Sequence, residues 1–267
     1  MKEEPLIIKL GGSLITNKNE DFSARKDIID GISKEIAKIN RKLIIVHGAG
    51  SFGHPIAKKY GLHLGFKNKK QLKGFIETKT SLHFLNKMIV DNLIKYNALA
   101  LSFQPSTFIT AVNGRIKQIN IKPLLNALKL NFIPVLHGDI VFDEVLGFSI
   151  VSGDQIIAKL APKVKADKVI FGCDVDGVFT ADPKKDPQAK LIPIINSRNF
   201  KNIMNMVKQL EVADVTGGMK GKLVECLNLA KKGIESIIIN LTKPENLTAF
   251  LNGYSISCTR FLSFNKK

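Results

Sequence analysis

The chain has 267 residues, 45% of them hydrophobic, which is enough to bury one large core or two smaller ones. No run approaches the roughly 20 apolar residues of a membrane span, and residues 1–5 lack the apolar stretch of a signal peptide, so we expect a soluble, cytoplasmic protein with no membrane partner. The net charge of +17 is spread along the chain and matches no nucleic-acid-binding module. It indicates a lysine-rich surface that can also attract anionic substrates, and a nucleic-acid partner stays an alternative that rests on charge alone.

Short apolar runs typical of buried strands alternate with amphipathic runs typical of helices along the whole chain. The predicted strands are residues 6–10, 43–46, 98–103, 132–136, 168–171 and 236–240. The predicted helices are residues 24–39, 51–60, 69–96, 122–130, 154–164, 219–232 and 244–251. Apolar strands separated by helices predict an α/β fold, an open αβα sandwich with a mainly parallel central sheet.

Two hairpin signals interrupt this alternation. Asn113-Gly114 favours a tight turn, and residues 140–143 and 148–151 predict a second pair of antiparallel strands. No linker or internal repeat divides the chain. We therefore expect one continuous domain, with an N-terminal lobe over residues 1–150 and a C-terminal lobe over residues 151–267.

The first two strands each end in a glycine-rich turn, at residues 9–13 (Lys-Leu-Gly-Gly-Ser) and 47–54 (His-Gly-Ala-Gly-Ser-Phe-Gly-His). Bare backbone N–H groups can approach an anion closely, and ligands of parallel sheets bind at the carboxyl ends of the strands. Lys9 can place its ammonium against a phosphate, and His54 at a helix start can donate to one. Together these features predict a site for more than one phosphate, as phosphoryl transfer requires. The alternatives are a strand-end lysine that reaches water and a histidine that caps its own loop.

Three further segments carry candidate chemistry. Residues 152–154 (Ser-Gly-Asp) open a helix, although capping alone would explain them. Residues 173–183 place two aspartates after a strand, where they can contact a ribose or a magnesium-bound phosphate, or form an ordinary turn. Residues 216–222 put two lysines at a helix start, which suggests bound anions because cations there oppose the helix dipole. Lys18 is a further candidate cation, or else an exposed loop lysine.

In this order, the segments resemble the motifs of the amino acid kinase superfamily, whose members transfer the γ-phosphoryl group of ATP to carboxylate, carbamate or phosphate acceptors. Residues 9–13 resemble the opening motif, residues 174–183 the nucleotide loop, and residues 217–222 the late lysine motif. Residues 47–55 resemble the isopentenyl phosphate kinases, in which the last histidine binds the acceptor phosphate. Fosfomycin kinases carry a similar Gly-Ser-Phe-Gly-His. One departure is Gln155, because isopentenyl phosphate kinases usually have aspartate there.

This resemblance implies ATP-dependent conversion of isopentenyl phosphate to isopentenyl diphosphate in isoprenoid biosynthesis through the alternative mevalonate pathway. It further implies Mg²⁺ on the ATP, a homodimer, an acceptor site in the N-terminal lobe and an ATP site in the C-terminal lobe. A fosfomycin kinase or another small phosphate or phosphonate kinase is one alternative, and a non-catalytic nucleotide-binding homologue is another.

The resemblance also assigns roles to single residues, while no protein side chain is expected to bind metal. The expected catalytic residues are Lys9, Lys18, His54 and Lys222. The expected acceptor-binding residues are Ala49, Gly53, His54 and Gly153. The expected ATP-binding residues are Lys9, Gly11, Gly12, Ser13, Gly50, Asp174, Gly218 and Lys222. The candidate residues for the pocket of the prenyl tail are Leu72, Phe75, Ile76 and residues 82–88.

Overall fold

The computed structural model of the chain describes residues 4–210 and 218–264. The strands in these residues, in chain order, are β1 (Leu6–Leu10), β2 (Leu43–His47), β3 (Ala100–Ser102), β4 (Ile109–Val112), β5 (Arg115–Ile119), β6 (Ile133–His137), β7 (Asp139–Asp143), β8 (Gly147–Val151), β9 (Lys168–Cys173), β10 (Ile194–Ile195), β11 (Glu235–Asn240) and β12 (Cys258–Phe261). The α-helices are α1 (Gly12–Ile15), α2 (Lys26–Ala37), α3 (Gly50–Lys59), α4 (Lys70–Lys95), α5 (Lys122–Lys129), α6 (Gly153–Val164), α7 (Phe200–Leu210), α8 (Gly218–Ala230) and α9 (Asn246–Leu251).

Eight of the described strands form one sheet that runs through both halves of the chain, in the order β10-β12-β11-β9-β1-β2-β6-β3. The neighbours from β11 to β3 are parallel, whereas β12 runs antiparallel to β11. The prediction of a mainly parallel central sheet is therefore confirmed. Because β1 lies between β2 and β9, the turns that follow these three strands meet at one edge of the sheet.

Side chains that alternate along each strand build a core on each face of this sheet. Ile7 and Phe171 belong to the core under α5, α6, α7 and α8, whereas Ile8 and Ile170 belong to the core under α1, α2, α4 and α9. All four side chains are fully buried, and each such burial contributes about 1.5–3 kcal/mol. Unbroken apolar strands therefore fix a sheet that is covered on both faces.

The two predicted hairpins form a second, four-stranded sheet with the order β5-β4-β7-β8. Asp143 at the end of β7 joins both turns, because it accepts hydrogen bonds from the N–H groups of Gly114 (2.8 Å) and Leu146 (2.9 Å), among others. Burial would raise the pKa of Asp143, but these amides lower it to about 2.

The structure adds elements that the patterns above did not predict. Strand β12 has four residues and β10 two, which is too short for a clear period. The sequence of helix α7 does have an amphipathic pattern, since Ile203 and Met204 are buried while Lys201 is exposed. This helical spacing could have predicted the helix. No helix among the described residues has the length and apolarity needed to cross a bilayer.

Candidate active site

The two glycine turns pack directly against each other. A Cβ on Gly12 would lie 2.7 Å from the backbone nitrogen of Gly50, so no larger residue fits there without a shift. Gly50 has φ +49°, a left-handed conformation that favours glycine. Thr16 ties the turns together, since its Oγ1 donates to Gly12 O (2.8 Å) and accepts from the N–H of Ser51 (3.0 Å). The predicted turns therefore form one continuous backbone surface.

Beside this surface, two buried lysines share one carboxylate. Lys9 at the end of β1 and Lys222 on α8 are 7% and 6% exposed, and Asp154 on α6 is 8% exposed. The distance from Lys9 Nζ to Asp154 Oδ1 is 2.5 Å, and that from Lys222 Nζ to the same oxygen is 3.7 Å. Two ammonium groups and one carboxylate leave a net positive charge, which suits an anionic ligand.

The pKa values of this cluster follow from burial and mutual attraction. Burial lowers the pKa of Lys9, and Asp154 offsets only part of this effect. Burial acts in the same direction on Lys222, but there the attraction of Asp154 prevails and the pKa is raised. Although burial would raise the pKa of Asp154, Lys222 and Lys9 hold it below the usual range. Asp154 is thus ionised, and the two lysines stabilise its buried charge.

Helix α6 starts at the same place. Ser152 caps it by accepting a hydrogen bond from the N–H of Gln155 (3.1 Å). A Cβ on Gly153 would lie 3.5 Å from Lys9 Cε, so the positive end of the helix dipole adjoins the lysines. The capping explanation is correct, and it leaves the helix start beside the charged cluster.

Gln155, the departure from the motif, has a structural role. Its Oε1 accepts from the N–H of Ile116 (2.7 Å) and its Nε2 donates to Gly114 O (3.2 Å). The side chain therefore holds the β4–β5 hairpin on α6. An ionised aspartate could not donate the second of these hydrogen bonds.

Three of the four predicted acceptor residues, Ala49, Gly53 and His54, lie at the start of α3, and the fourth, Gly153, begins α6. His54 is exposed and is the fifth residue of α3, so it lies in the second turn and not in the first as expected. Partial desolvation of the ring and the charge of Lys9 lower the pKa of its imidazole. Gly53 is buried, where a Cβ would lie 2.7 Å from Ala49 Cβ. A Cβ there would also lie 3.4 Å from Leu82 Cδ2, so Gly53 lets α3 pack closely against α4. Ala49 remains partly exposed.

Lys18 is exposed on the loop between α1 and α2. This loop is anchored to α3, because the N–H of Phe22 donates to Ser51 O (3.3 Å). That carbonyl is available because Pro55, four residues further along, has no N–H to donate. The anchor holds the loop that carries Lys18 against the second glycine turn, to which Ser51 belongs.

Sequence reasoning missed the lysines that pair with the two loop aspartates. Asp174 accepts from the hydroxyl of Ser13 (3.0 Å) and pairs with Lys184 (2.5 Å). Asp176 pairs with Lys243 (2.7 Å). The Asp-Pro-Lys-Lys loop that carries Lys184 was visible in the sequence, but nothing in the sequence indicated that it folds back onto Asp174. The contact between Ser13 and Asp174 joins two of the predicted nucleotide segments.

The late lysine motif is described only in part. Thr216 and Gly217 lie outside the described residues, whereas Gly218 begins α8. Within the predicted prenyl pocket, Leu82 and Leu85 are 2% and 0% exposed, whereas Leu72 and Ile76 are 47% and 65% exposed, and the choice of pocket residues stays a prediction. One face of a packed helix is buried against the core, and the sequence did not show which part of α4 is buried.

Comparison with known proteins agrees with this geometry. The family model described as the amino acid kinase family matches residues 4–240. The isopentenyl phosphate kinase of Methanothermobacter thermautotrophicus is 41% identical over 263 residues, which cover 96% of this chain and 98% of that protein. The enzyme of the same name from Methanocaldococcus jannaschii is 36% identical, with 92% and 95% covered. A solved structure of an isopentenyl phosphate kinase superposes with a TM-score of 0.84 at 38% identity, covering 96% of this chain and 99% of that one.

Proposed function

The chain belongs to the amino acid kinase family, and on this premise we propose that it phosphorylates isopentenyl phosphate with ATP, releasing ADP and isopentenyl diphosphate. The observation that carries this proposal is the pair of buried lysines, Lys9 and Lys222, which share Asp154 beside the first glycine turn and the start of α6. The enzyme is thus a phosphotransferase with a phosphate group as acceptor. Its place in isoprenoid biosynthesis follows from the product.

The chemistry requires little from a general base. A phosphomonoester is already anionic near neutral pH, so its oxygen can attack the γ-phosphorus of ATP in line with the departing ADP. The main obstacle is the repulsion between two polyanions that must approach each other. Positioning and charge neutralisation are therefore the dominant contributions to catalysis.

The lysines neutralise the charge in this proposal. Lys9 and Lys222 hold the migrating phosphoryl group and the phosphates of ATP, with Asp154 keeping the two ammonium groups together in the absence of ligand. Lys18, exposed on its anchored loop, stabilises charge in the transition state. An exposed lysine can reach the phosphates without the cost of a permanently buried charge.

The acceptor phosphate lies, in this proposal, between α3 and the start of α6. His54 donates to one of its oxygens, and the backbone amides near Ala49, Gly53 and Gly153 bind the others. Although its pKa is lowered in the free protein, the imidazole gains a proton more readily when a dianion approaches. The exposed apolar residues at the start of α4, Leu72 and Ile76, remain candidates for contact with the prenyl tail.

ATP occupies the neighbouring part of the site in this proposal. The residues we assign to it are Lys9, Gly11, Gly12, Ser13, Gly50, Asp174, Gly218 and Lys222. The described residues contain no group of three His, Cys, Asp or Glu side chains placed to hold a metal ion. Mg²⁺ would enter the site with ATP and would neutralise part of the phosphate charge, and we name no protein ligand for it.

We further propose the expected division of labour and a homodimer. In this proposal the lobe of residues 1–150 holds most of the acceptor site, although its glycine turns also contact ATP, and the lobe of residues 151–267 completes the ATP site. In the described sheet β3 is an edge strand, and three leucines, Leu99 just before it, Leu101 on it and Leu130 at the end of α5, are 55%, 42% and 68% exposed. An unpaired edge flanked by apolar side chains favours association with a second copy.

Product analysis tests the reaction directly. ³¹P NMR of the enzyme with ATP and isopentenyl phosphate should show the loss of the monophosphate signal and the appearance of two coupled diphosphate signals, with ADP formed in equal amount. ADP without the diphosphate would indicate ATP hydrolysis and would contradict transfer to this acceptor.

A further inference from the structure

Two buried histidines that the mechanism above does not use lie side by side behind the glycine turns. His47 ends β2 and His137 ends β6, and they face each other in the register of the two parallel strands. They are 0% and 3% exposed, with ring centroids 5.4 Å apart. Because buried polar groups are nearly always hydrogen-bonded, the ring nitrogens of both histidines are expected to have partners.

Each imidazole turns back onto the glycine that follows it. His47 Nδ1 lies 2.9 Å from Gly48 O, and His137 Nδ1 lies 3.0 Å from Gly138 O. A carbonyl oxygen can only accept, so in both rings Nδ1 carries the hydrogen. Burial and the neighbouring His137 lower the pKa of His47 to about 3, and burial also lowers that of His137, so both rings are neutral.

Asn86 on α4 enforces this tautomer in His47. Its Oδ1 accepts from the hydroxyl of Ser102 (2.6 Å), which leaves its Nδ2 as a donor. Nδ2 lies 3.1 Å from His47 Nε2 and 3.3 Å from Val135 O. Because Nε2 must accept from this amide, the hydrogen of the ring is confined to Nδ1.

The carbonyl that His47 holds belongs to the peptide unit that ends in the N–H of Ala49. In a planar trans peptide the N–H points opposite to the C=O, so fixing Gly48 O towards the buried ring turns the Ala49 N–H away from it. This N–H has no hydrogen-bond acceptor among residues 4–210 and 218–264. It is one of the amides assigned above to the acceptor phosphate.

We propose that His47 is a positioning residue, which aims the N–H of Ala49 at the acceptor phosphate through its hydrogen bond to Gly48 O. Asn86 keeps the hydrogen on the ring nitrogen that makes this bond. His137 likewise holds Gly138 O, and Gly138 packs against the start of α6, since a Cβ on it would lie 3.1 Å from the backbone nitrogen of Gly153. The phosphate role of Ala49 rests on the proposed function, whereas the restraint on the peptide does not.

Two amide variants separate this role from simple core packing. His47→Asn places an amide nitrogen close to the position of Nδ1, whereas His47→Gln places it close to Nε2. We expect His47→Gln to raise KM for isopentenyl phosphate about tenfold, the loss of one well-aligned hydrogen bond, with a smaller change in KM for ATP. His47→Asn should restore most of this loss. Equal increases in both KM values, or equal defects in both variants, would overturn the proposal.

Crystal structures of the wild-type protein and His47→Gln supply a readout that is independent of substrate. The Gly48–Ala49 peptide should be rotated in the variant, and an unmoved peptide would contradict the inference. If the wild-type enzyme does not use isopentenyl phosphate, the proposed function fails. The crystal structures still test whether His47 restrains the Gly48–Ala49 peptide. If His47→Gln does not fold, Asn86→Leu tests the same step, and an unchanged KM for isopentenyl phosphate in that variant would count against it.

Discussion

Lys9 Nζ lies 2.5 Å from Asp154 Oδ1, although β1 and α6 belong to different halves of the chain. The same carboxylate also attracts Lys222, so one anion holds two buried cations at the carboxyl edge of the sheet. In our account the phosphates of ATP take over part of this task when they bind. The ligand-free protein therefore depends on Asp154 more strongly than the nucleotide-bound protein does.

The first prediction concerns this dependence. Asp154→Asn should destabilise the free protein by about 3–5 kcal/mol, because it leaves two buried ammonium groups without a counter-charge. Saturating ATP should restore more stability to the variant than to the wild-type protein. Urea unfolding with and without ATP measures both effects.

Asp167→Asn is the matched control. Asp167 pairs with Arg41 at 3.2 Å in a partly exposed position, and such pairs contribute about 0–1 kcal/mol. If Asp154→Asn proved no more destabilising than this control, the charge cluster would not have the role given to it here.

A second prediction concerns the acceptor. His54→Ala should weaken the binding of isopentenyl phosphate by about 2–4 kcal/mol, the range for losing a charge-assisted contact, while KM for ATP changes little. His54→Gln, which keeps a donor, should lose less. Steady-state kinetics with each substrate varied in turn gives both constants. An unchanged KM for isopentenyl phosphate in the alanine variant would show that His54 does not bind the acceptor.

The third prediction separates binding from the transition state. Lys18→Ala should lower kcat about 100-fold with little effect on either KM, since Lys18 is assigned to charge that develops during transfer. Lys58→Ala, an exposed lysine on the adjoining helix, is the control and should leave kcat unchanged. A raised KM with normal kcat would instead make Lys18 a ground-state binding residue.

The fourth prediction follows from the buried imidazole of His47. The unfolded chain protonates this residue near pH 6.5, but the folded protein does so only near pH 3, so the unfolded state binds the additional proton between these values. Stability should therefore fall with decreasing pH in this window, with His47 contributing about 1.4 kcal/mol per pH unit.

The comparison with His47→Asn isolates this contribution from that of the carboxylates. Unfolding free energies measured from pH 7 to pH 4 should fall less steeply for this variant than for the wild-type protein. His63→Asn, a change at an exposed histidine, should follow the wild-type curve. Parallel curves for the wild-type protein and His47→Asn would exclude a neutral buried ring in the folded state.

Much of the fold could be predicted because its signals are local. Apolar strands such as β1 and β2, and the Asn113-Gly114 turn, can be recognised from the pattern of a few neighbouring residues. Strand β12 could not be assigned in this way, because its four residues gain their strand character from pairing with β11. Its position depends on tertiary contacts that no short window contains.

The site divides in the same manner. Glycine turns after strands indicated where a phosphate could bind, and the structure brings Lys9, Lys222 and Asp154 together there. Asp174 pairs with Lys184, and the side chain of Gln155 forms hydrogen bonds with the β4–β5 hairpin. Both contacts depend on how a loop or hairpin folds back onto the rest of the chain. Sequence spacing gives the chemistry of such side chains but not their partners.

An ADP-release assay with several acceptors side by side tests the central claim most directly. Isopentenyl phosphate, dimethylallyl phosphate, fosfomycin, UMP and glutamate would each be supplied with ATP at matched concentrations. Our account predicts the highest kcat/KM for isopentenyl phosphate, and no ADP release above background with glutamate. A preference for fosfomycin or UMP would contradict the assigned acceptor, and an absence of turnover with all five would contradict catalysis itself.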